Sequence, residues 1–134
     1  MAGLRAGILL VAVLAALAPG VRSLVRVWRT RVAVVGTSMS PTLEPGDWLL
    51  VDEAAYRRRA PRPGELVVAG DPRQTARALV KRVVAVDADG RLELAGDAPD
   101  ASTDSRTFGP LDPAAIGGRP WFRIHPRTRL GRVG

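Results

Sequence analysis

Two patterns of hydrophobic and polar positions divide the chain. Residues 6–21 carry no charged side chain, and residues 8–18 are apolar throughout. From Val32 onward, short runs rich in β-branched residues alternate with turns that contain Gly, Pro or Asp. Such runs are typical of strands, and prolines and glycines at this spacing disfavour helices. The pattern therefore predicts an N-terminal hydrophobic helix followed by a small, mainly β domain.

The strands of the second region are predicted from its turns. The sequence Asp87-Ala88-Asp89-Gly90 has the composition of a hairpin turn, whereas residues 96–118 consist mostly of loop formers. We therefore predict an anchor and basic linker over residues 1–31 and one domain over residues 32–134. The predicted strands cover residues 32–35, 48–52, 65–68, 78–86, 91–95 and 121–124.

The hydrophobic segment at residues 6–21 has three interpretations: a short membrane anchor, a secretory signal peptide ending at Ala16-Leu17-Ala18, or a buried helix. As a helix it would span roughly 24 Å, against the ~30 Å hydrocarbon core of a bilayer. Pro19 argues against cleavage after Ala18, and the absence of a polar face argues against a buried helix of a soluble domain. We expect a single-pass anchor that contacts membrane lipid through residues 6–21.

Arginines flank this segment unequally. Arg5 precedes it, whereas Arg22, Arg26, Arg29 and Arg31 follow it. The positive-inside rule therefore favours a cytoplasmic position for the domain that follows.

Composition narrows the classes of function. The 134 residues carry a net charge of +7 and include no cysteine and one histidine, His125. These counts exclude a disulfide framework, a thiolate nucleophile and a multi-histidine metal site, and we expect no metal or cofactor. The aromatic residues do not alternate with the arginines as in a base-stacking surface, so we expect no nucleic-acid partner.

The first candidate for chemistry is Ser38, which lies in a turn-rich stretch over residues 36–47 directly after a predicted strand. A serine on such a loop suits acyl transfer, because neighbouring backbone N–H groups can hold an oxyanion. By itself this signal is weak, since serines in Gly- and Pro-rich turns usually have structural roles.

The second candidate is Lys81, the only lysine in a chain rich in arginine. Strand alternation places Lys81 on one face with Leu79, Val83 and Ala85. Burial on an apolar face lowers the pKa of an amine, and a neutral amine can act as a general base. The alternative is a lysine that extends its ammonium group to solvent.

A third segment, residues 96–110, is dense in polar side chains. Asp104 and Arg106 are spaced to form an ion pair, and Ser102 is available to orient an amine. The alternative is a polar surface loop.

Together the three segments resemble the bacterial type I signal peptidase family, which are membrane-bound endopeptidases with a Ser-Lys dyad. The resemblance covers residues 34–111 and the hydrophobic N-terminus. The matching motifs are Ser38-Met39-Ser40-Pro41-Thr42-Leu43 with Pro45-Gly46-Asp47, then Val80-Lys81-Arg82-Val83-Val84, and then Gly96-Asp97 with Ser102-Thr103-Asp104-Ser105-Arg106 and Gly109.

The resemblance implies a small signal-peptidase-like β domain and a role for each matched residue. Ser38 would be the nucleophile and its backbone N–H part of the oxyanion hole, Lys81 the general base, and Ser102 the group that orients the Lys81 amine. A strand at Val34 and Val35 would flank the cleft and pair with an extended substrate. The supporting residues would be Asp97, Asp104, Arg106 and Met39.

The chain departs from the family pattern at Ala98, where the family usually has Asn, and Gly36 supplies no side-chain oxyanion donor. The resemblance implies precursor proteins as substrates and a catalytic domain on the outer face of the membrane, in conflict with the arginine distribution. Two alternatives remain. One is the short subgroup of the family that matures nickel-type superoxide dismutase precursor; the other is a basic nucleic-acid-binding β module without catalysis.

Overall fold

The computed structural model describes residues 30–134, apart from the side chain of Thr75. The predicted anchor at residues 6–21 and most of the predicted linker lie outside the described residues. Residues 31–134 form one unit, Arg31–Gly134. Within the described part of the chain, no helix is long and apolar enough to cross a membrane.

The unit is built on one antiparallel sheet of seven strands, which confirms the mainly β prediction. In space the strands follow the order β1-β2-β6-β3-β4-β5, and β7 pairs with β6. One short helix, α1 (Ser105–Phe108), lies between β5 and β6. The strands are β1 (Arg31–Ala33), β2 (Trp48–Asp52), β3 (Leu66–Asp71), β4 (Gln74–Val86), β5 (Leu92–Ala95), β6 (Ile116–His125) and β7 (Gly131–Arg132).

Strand alternation determines which side chains the sheet buries. In β2 the buried residues are Leu49 and Val51, with more exposed residues between and beside them. Two hydrophobic clusters result. The first contains Val34, Met39, Leu43, Leu49, Leu66 and Val133, and the second contains Val67, Ala69, Val83, Leu92, Leu94 and Leu111.

The strand predictions were accurate where the signal was local. The strand over residues 48–52 and the hairpin after Val86 are present, but the last large strand runs over Ile116–His125 rather than residues 121–124. Its early part pairs with β2 and β3, partners distant in sequence. Gly118 allows this packing because it has no side chain. Any other residue would place a Cβ only 2.7 Å from the Asp52 carbonyl oxygen.

The first strand is shorter than predicted. Strand β1 ends at Ala33 instead of residue 35. Val34 is instead held by the turn before β2: its N–H donates to the Asp47 carbonyl over 2.8 Å, and its carbonyl accepts from Gly46 over 2.8 Å. Val35 follows with 86% of its surface exposed. The predicted strand at Val34 and Val35 is therefore an irregular, partly open segment that leads toward Ser38.

Candidate active site

Strand β4 carries Lys81 into the interior. Lys81 lies opposite Val67 of β3 and is only 2% exposed. Leu79 and Val83 are buried on the same face, as the alternation predicts. Burial lowers the pKa of Lys81; the Asp104 carboxylate opposes this shift, and the guanidinium of Arg77 adds to it. The protonated amine is therefore disfavoured in the folded state.

Ser102 and Asp104 continue from Lys81 in a chain of hydrogen bonds. Nζ of Lys81 donates to Oγ of Ser102 over 2.9 Å. Oγ of Ser102 donates to Oδ2 of Asp104, also over 2.9 Å. Asp104 is fully buried, so its charge needs local partners. The side chain of Arg106 supplies two of them, through Nε at 2.9 Å and Nη2 at 3.0 Å.

Asp104 also begins the helix α1. Its side chain accepts from the backbone N–H of Arg106 in the N-cap position, and from the N–H of Gly96. The pKa of Asp104 is held well below its usual range, first by the hydrogen bonds from the Arg106 side chain. Asp104 and Arg106 therefore form an ion pair, and the buried Asp104 carboxylate lies at the end of the hydrogen-bonded chain that begins at the Lys81 amine.

Ser38 lies in the loop between β1 and β2 and is half-buried. Met39 beside it is only 2% exposed and packs in the first hydrophobic cluster, which anchors the loop. The carbonyl of Ser38 accepts from the N–H of Ala98 over 2.9 Å. Among the described residues, no acceptor is bonded to the backbone N–H of Ser38. This N–H is available to a bound oxyanion.

Asp97 joins the serine loop to β4. Its carboxylate accepts from Thr42 Oγ1 over 2.6 Å, and from Arg82 through Nε at 2.8 Å and Nη2 at 2.7 Å. The pKa of Asp97 is lowered by the Arg82 guanidinium. Arg82 directly follows Lys81, so Asp97 ties the two candidate catalytic segments together. At Ala98 the contact with Ser38 is made by the backbone, so it does not require the asparagine side chain usual in the family.

Gly96 is a site residue whose importance the sequence did not reveal. A Cβ at this position would overlap with Oγ of Ser102 and the carbonyl oxygen of Ser38, and would lie 2.6 Å from Cβ of Ser102. Only glycine allows the two polar segments to approach this closely. The motif contained Gly96, but its spatial reason becomes visible only in the fold.

A second missed feature holds the serine loop from the other side. Asp47 is 1% exposed and lies between two arginines, 3.4 Å from Arg123 Nε and 3.2 Å from Arg129 Nη1. Arg123 also donates to the Thr42 carbonyl over 3.1 Å. The two arginines thereby attach the loop to β6 and to the 3₁₀ turn Arg127–Arg129. Asp47 belonged to the Pro-Gly-Asp motif, but its partners lie far away in sequence.

Ser38 and Lys81 line one cleft of about 340 Å³. Residues 32–39 form one wall, and Arg73 with residues 77–81 form the other; Ala101 and Thr103 complete the lining. No hydrogen bond joins the Ser38 and Lys81 side chains within the described residues. Within that same range, no cluster of three or more His, Asp or Glu side chains could hold a metal ion.

This arrangement combines an alcohol, a buried amine and an open backbone N–H, which are the groups needed by a hydrolase that acts on acyl groups. Sequence comparison assigns the class. Residues 4–90 match the family model of signal peptidases, peptidase family S26. The chain belongs to the signal peptidase family and is a serine endopeptidase.

Curated relatives agree with this assignment. The chain is 32% identical over 121 residues to the mitochondrial ATP-independent inner membrane protease subunit 1b of Arabidopsis thaliana, covering 74% of this chain and 72% of the relative. It is 31% identical to the mitochondrial inner membrane protease subunit 1 of Xenopus tropicalis (72% and 69% covered). It is 26% identical to a probable signal peptidase I-1 of Synechocystis (72% and 71% covered). These names support membrane association for the family of this chain.

Proposed function

We propose that this chain removes N-terminal signal or leader peptides from precursor proteins with a Ser38–Lys81 dyad. The observation that carries the proposal is the buried Lys81, hydrogen-bonded to Ser102, in one cleft with Ser38. The signal peptidase family and the inner membrane protease relatives support precursor proteins as substrates.

In the proposed reaction, neutral Lys81 accepts the proton of the Ser38 hydroxyl as Oγ attacks the scissile carbonyl carbon. The developing oxyanion accepts from the backbone N–H of Ser38. Protonated Lys81 then donates its proton to the leaving amine, and the C–N bond breaks to leave an acyl ester on Ser38. Lys81 next takes a proton from water, whose oxygen attacks the ester carbon. The bond from that carbon to Ser38 Oγ breaks, protonated Lys81 returns its proton to Oγ, and the carboxylic acid product leaves and loses its own proton to solvent.

The supporting residues act through the dyad. Ser102 and Asp104 hold the amine in position, since Lys81 donates to Ser102 and Ser102 donates to Asp104. Asp97 holds the Ser38 loop against β4 through Thr42 and Arg82. We propose Asp97, Asp104, Arg106 and Met39 as positioning residues rather than groups that touch the substrate.

The cleft suits an extended peptide. Strand β4 pairs with β3 over residues 78–82 and again at Gln74, but β5 covers its other edge only over residues 82–86. Residues 78–81 therefore present an open backbone edge within the described sheet. On the facing wall, Val35 lies beyond the end of β1. A substrate inserted between these walls would gain main-chain hydrogen bonds, as in strand addition.

For the whole protein, we propose residues 6–21 as a membrane anchor and residues 32–134 as the catalytic domain. The resemblance favours the outer face of the membrane and the arginines after the anchor favour the cytoplasmic side. Accessibility of the domain to added protease in sealed cells or spheroplasts decides between the two.

The test is a cleavage assay with the full-length chain in detergent. Wild type, Ser38→Ala and the same-loop control Ser40→Ala meet a secretory preprotein with an Ala-X-Ala site and a nickel-type superoxide dismutase precursor. Mass spectrometry identifies the new N-termini. We expect cleavage of the preprotein by wild type and Ser40→Ala, and none by Ser38→Ala. Cleavage of the dismutase precursor alone would establish the specialised maturation function. Undiminished cleavage by Ser38→Ala would overturn the dyad.

A further inference from the structure

The charged groups of the cleft all have the same sign. Its lining includes two residues with guanidinium groups, Arg73 and Arg77, and no aspartate or glutamate. A cleft walled by cations favours negatively charged groups on whatever enters it, most strongly where water is partly excluded.

Arg77 is the cation that is available to a ligand. It is exposed, and within residues 30–134 its guanidinium has no hydrogen bond or ion pair. Arg73, in contrast, is already paired: its guanidinium bonds to Asp71 at 2.9 and 3.0 Å and lies over the Phe108 ring at 5.9 Å. Arg73 adds positive charge, but only Arg77 has its donors free.

The position of Arg77 on β4 determines where along a substrate it would act. Arg77, Leu79 and Lys81 all lie on β4 and line the cleft, with Arg77 directly before residues 78–82, which pair with β3 in one continuous register. Lys81 lies four positions after Arg77, a distance of up to roughly 13 Å at about 3.3 Å per residue. An extended peptide has nearly the same rise, so a substrate residue beside Arg77 lies about four residues from the bond beside Lys81.

We propose that Arg77 selects substrates that carry an acidic side chain about four residues from the scissile bond. The inference rests on the proposed peptidase function and adds a substrate preference to it. A planar guanidinium recognises a carboxylate through paired hydrogen bonds, which Arg77 can form without breaking any contact within the described residues.

The test measures kcat/KM on peptides with Ala at the first and third positions before the scissile bond. Glu, Gln or Lys is placed in turn at each of the other positions from five before to five after that bond. For wild type we expect the Glu peptide to exceed the Gln peptide by up to about fivefold at a position three to five residues from the bond. This preference should decrease as salt is added.

Variants of Arg77 assign the effect to this side chain. In Arg77→Gln the Glu-to-Gln ratio should fall to about one, and Arg77→Glu should prefer Lys at the same position. Arg58→Gln is the matched control, since Arg58 is also exposed but does not line the cleft. The exchange of preference separates recognition from a general effect of Arg77 on Lys81, because a general effect would change all peptides equally.

Failure of this inference differs from failure of the proposed function. Wild type that cleaves every peptide with no preference for Glu, or Arg77→Gln that keeps the preference, would overturn the selection by Arg77 and leave the peptidase standing. Wild type that is no more active than Ser38→Ala on any peptide would overturn both.

Discussion

Lys81 and Ser102 are 21 positions apart in the chain, yet Nζ of Lys81 donates to Oγ of Ser102 over 2.9 Å. The single hydroxyl proton of Ser102 is committed to Asp104, so Ser102 can only accept from the amine. When Lys81 is neutral, its lone pair therefore points away from Ser102 and stays free for another donor. Ser38, in the same cleft, is the donor that the proposed mechanism requires.

Removal of the amine should separate activity from stability. Lys81→Met should lose all detectable cleavage, because no base remains. Its free energy of unfolding at neutral pH should rise by about 1 kcal/mol. Burial of the amine destabilises the folded state through loss of its hydration, and burial of a thioether of similar length does not. Cleavage assays and urea denaturation measure the two effects.

The companion variant Lys81→Arg should also be inactive, because a guanidinium stays protonated. Substantial cleavage by either variant would remove Lys81 from the role of general base. A large loss of stability in Lys81→Met would show instead that the amine supports the fold.

The pH profile should follow the Lys81 pKa. That pKa is lowered by burial, so kcat/KM should be highest above it and fall as the pH decreases through it. Asp104 raises the Lys81 pKa and Arg77 lowers it. Asp104→Asn should therefore move the acid limb to lower pH, and Arg77→Gln should move it to higher pH.

This profile can be separated from acid unfolding. The pKa of Asp104 is lower in the folded chain than in the unfolded chain, so the ionised carboxylate stabilises the fold at pH values above the unfolded-state pKa. This contribution is lost as the pH falls below about 4. Circular dichroism across the same pH range reports whether the sheet persists through the acid limb. If Asp104→Asn and Arg77→Gln moved the acid limb of kcat/KM in the same direction, the electrostatic explanation of the Lys81 pKa would be wrong.

Gly96→Ala should damage the site through the backbone. The added methyl group would meet the Ser38 carbonyl and the Ser102 side chain, so the two segments must separate. We expect a loss of roughly 1–3 kcal/mol in the free energy of unfolding and a decrease in kcat of more than about tenfold, since small misplacements of catalytic groups are costly.

Gly70→Ala is the matched control for this change. Gly70 also lies in a strand, and a Cβ there would meet nothing within 4 Å. It should leave both quantities nearly unchanged. Equal effects of the two substitutions would show that the close approach at Gly96 has no special role.

The parts of the fold that could be predicted depend on local signals. The alternation of buried and exposed residues in β2 and the turn at Asp87–Gly90 each involve only four or five consecutive residues, so the sequence alone indicates them. The early half of β6 contains Gly117 and Gly118 and becomes a strand only through pairing with β2 and β3. The termination of β1 at Ala33, before the predicted residue 35, likewise depends on a hydrogen bond from the Val34 N–H to the carbonyl of Asp47, which is distant in sequence.

The site divides in the same way. Lys81 stands out as the only lysine of the chain and by its place among apolar residues, whereas Ser38 stands out only through its motif. Asp47 and Gly96 belong to the motifs, but their contacts with Arg129 and Ser38 depend on tertiary packing. Arg77 could not be distinguished from the other arginines until the structure placed it in the cleft without a partner.

Strands β1 and β5 stand at opposite ends of the strand order, and the segments after them meet where the Ser38 carbonyl accepts from Ala98. Ser38 follows β1, whereas Lys81 lies on β4 beside β5, so the two proposed catalytic residues come from different parts of the sheet. We expect a chain whose sheet is incomplete to contain this serine and lysine without the cleft that both line in the folded domain. Completion of the sheet is therefore the folding step at which we expect peptidase activity to appear.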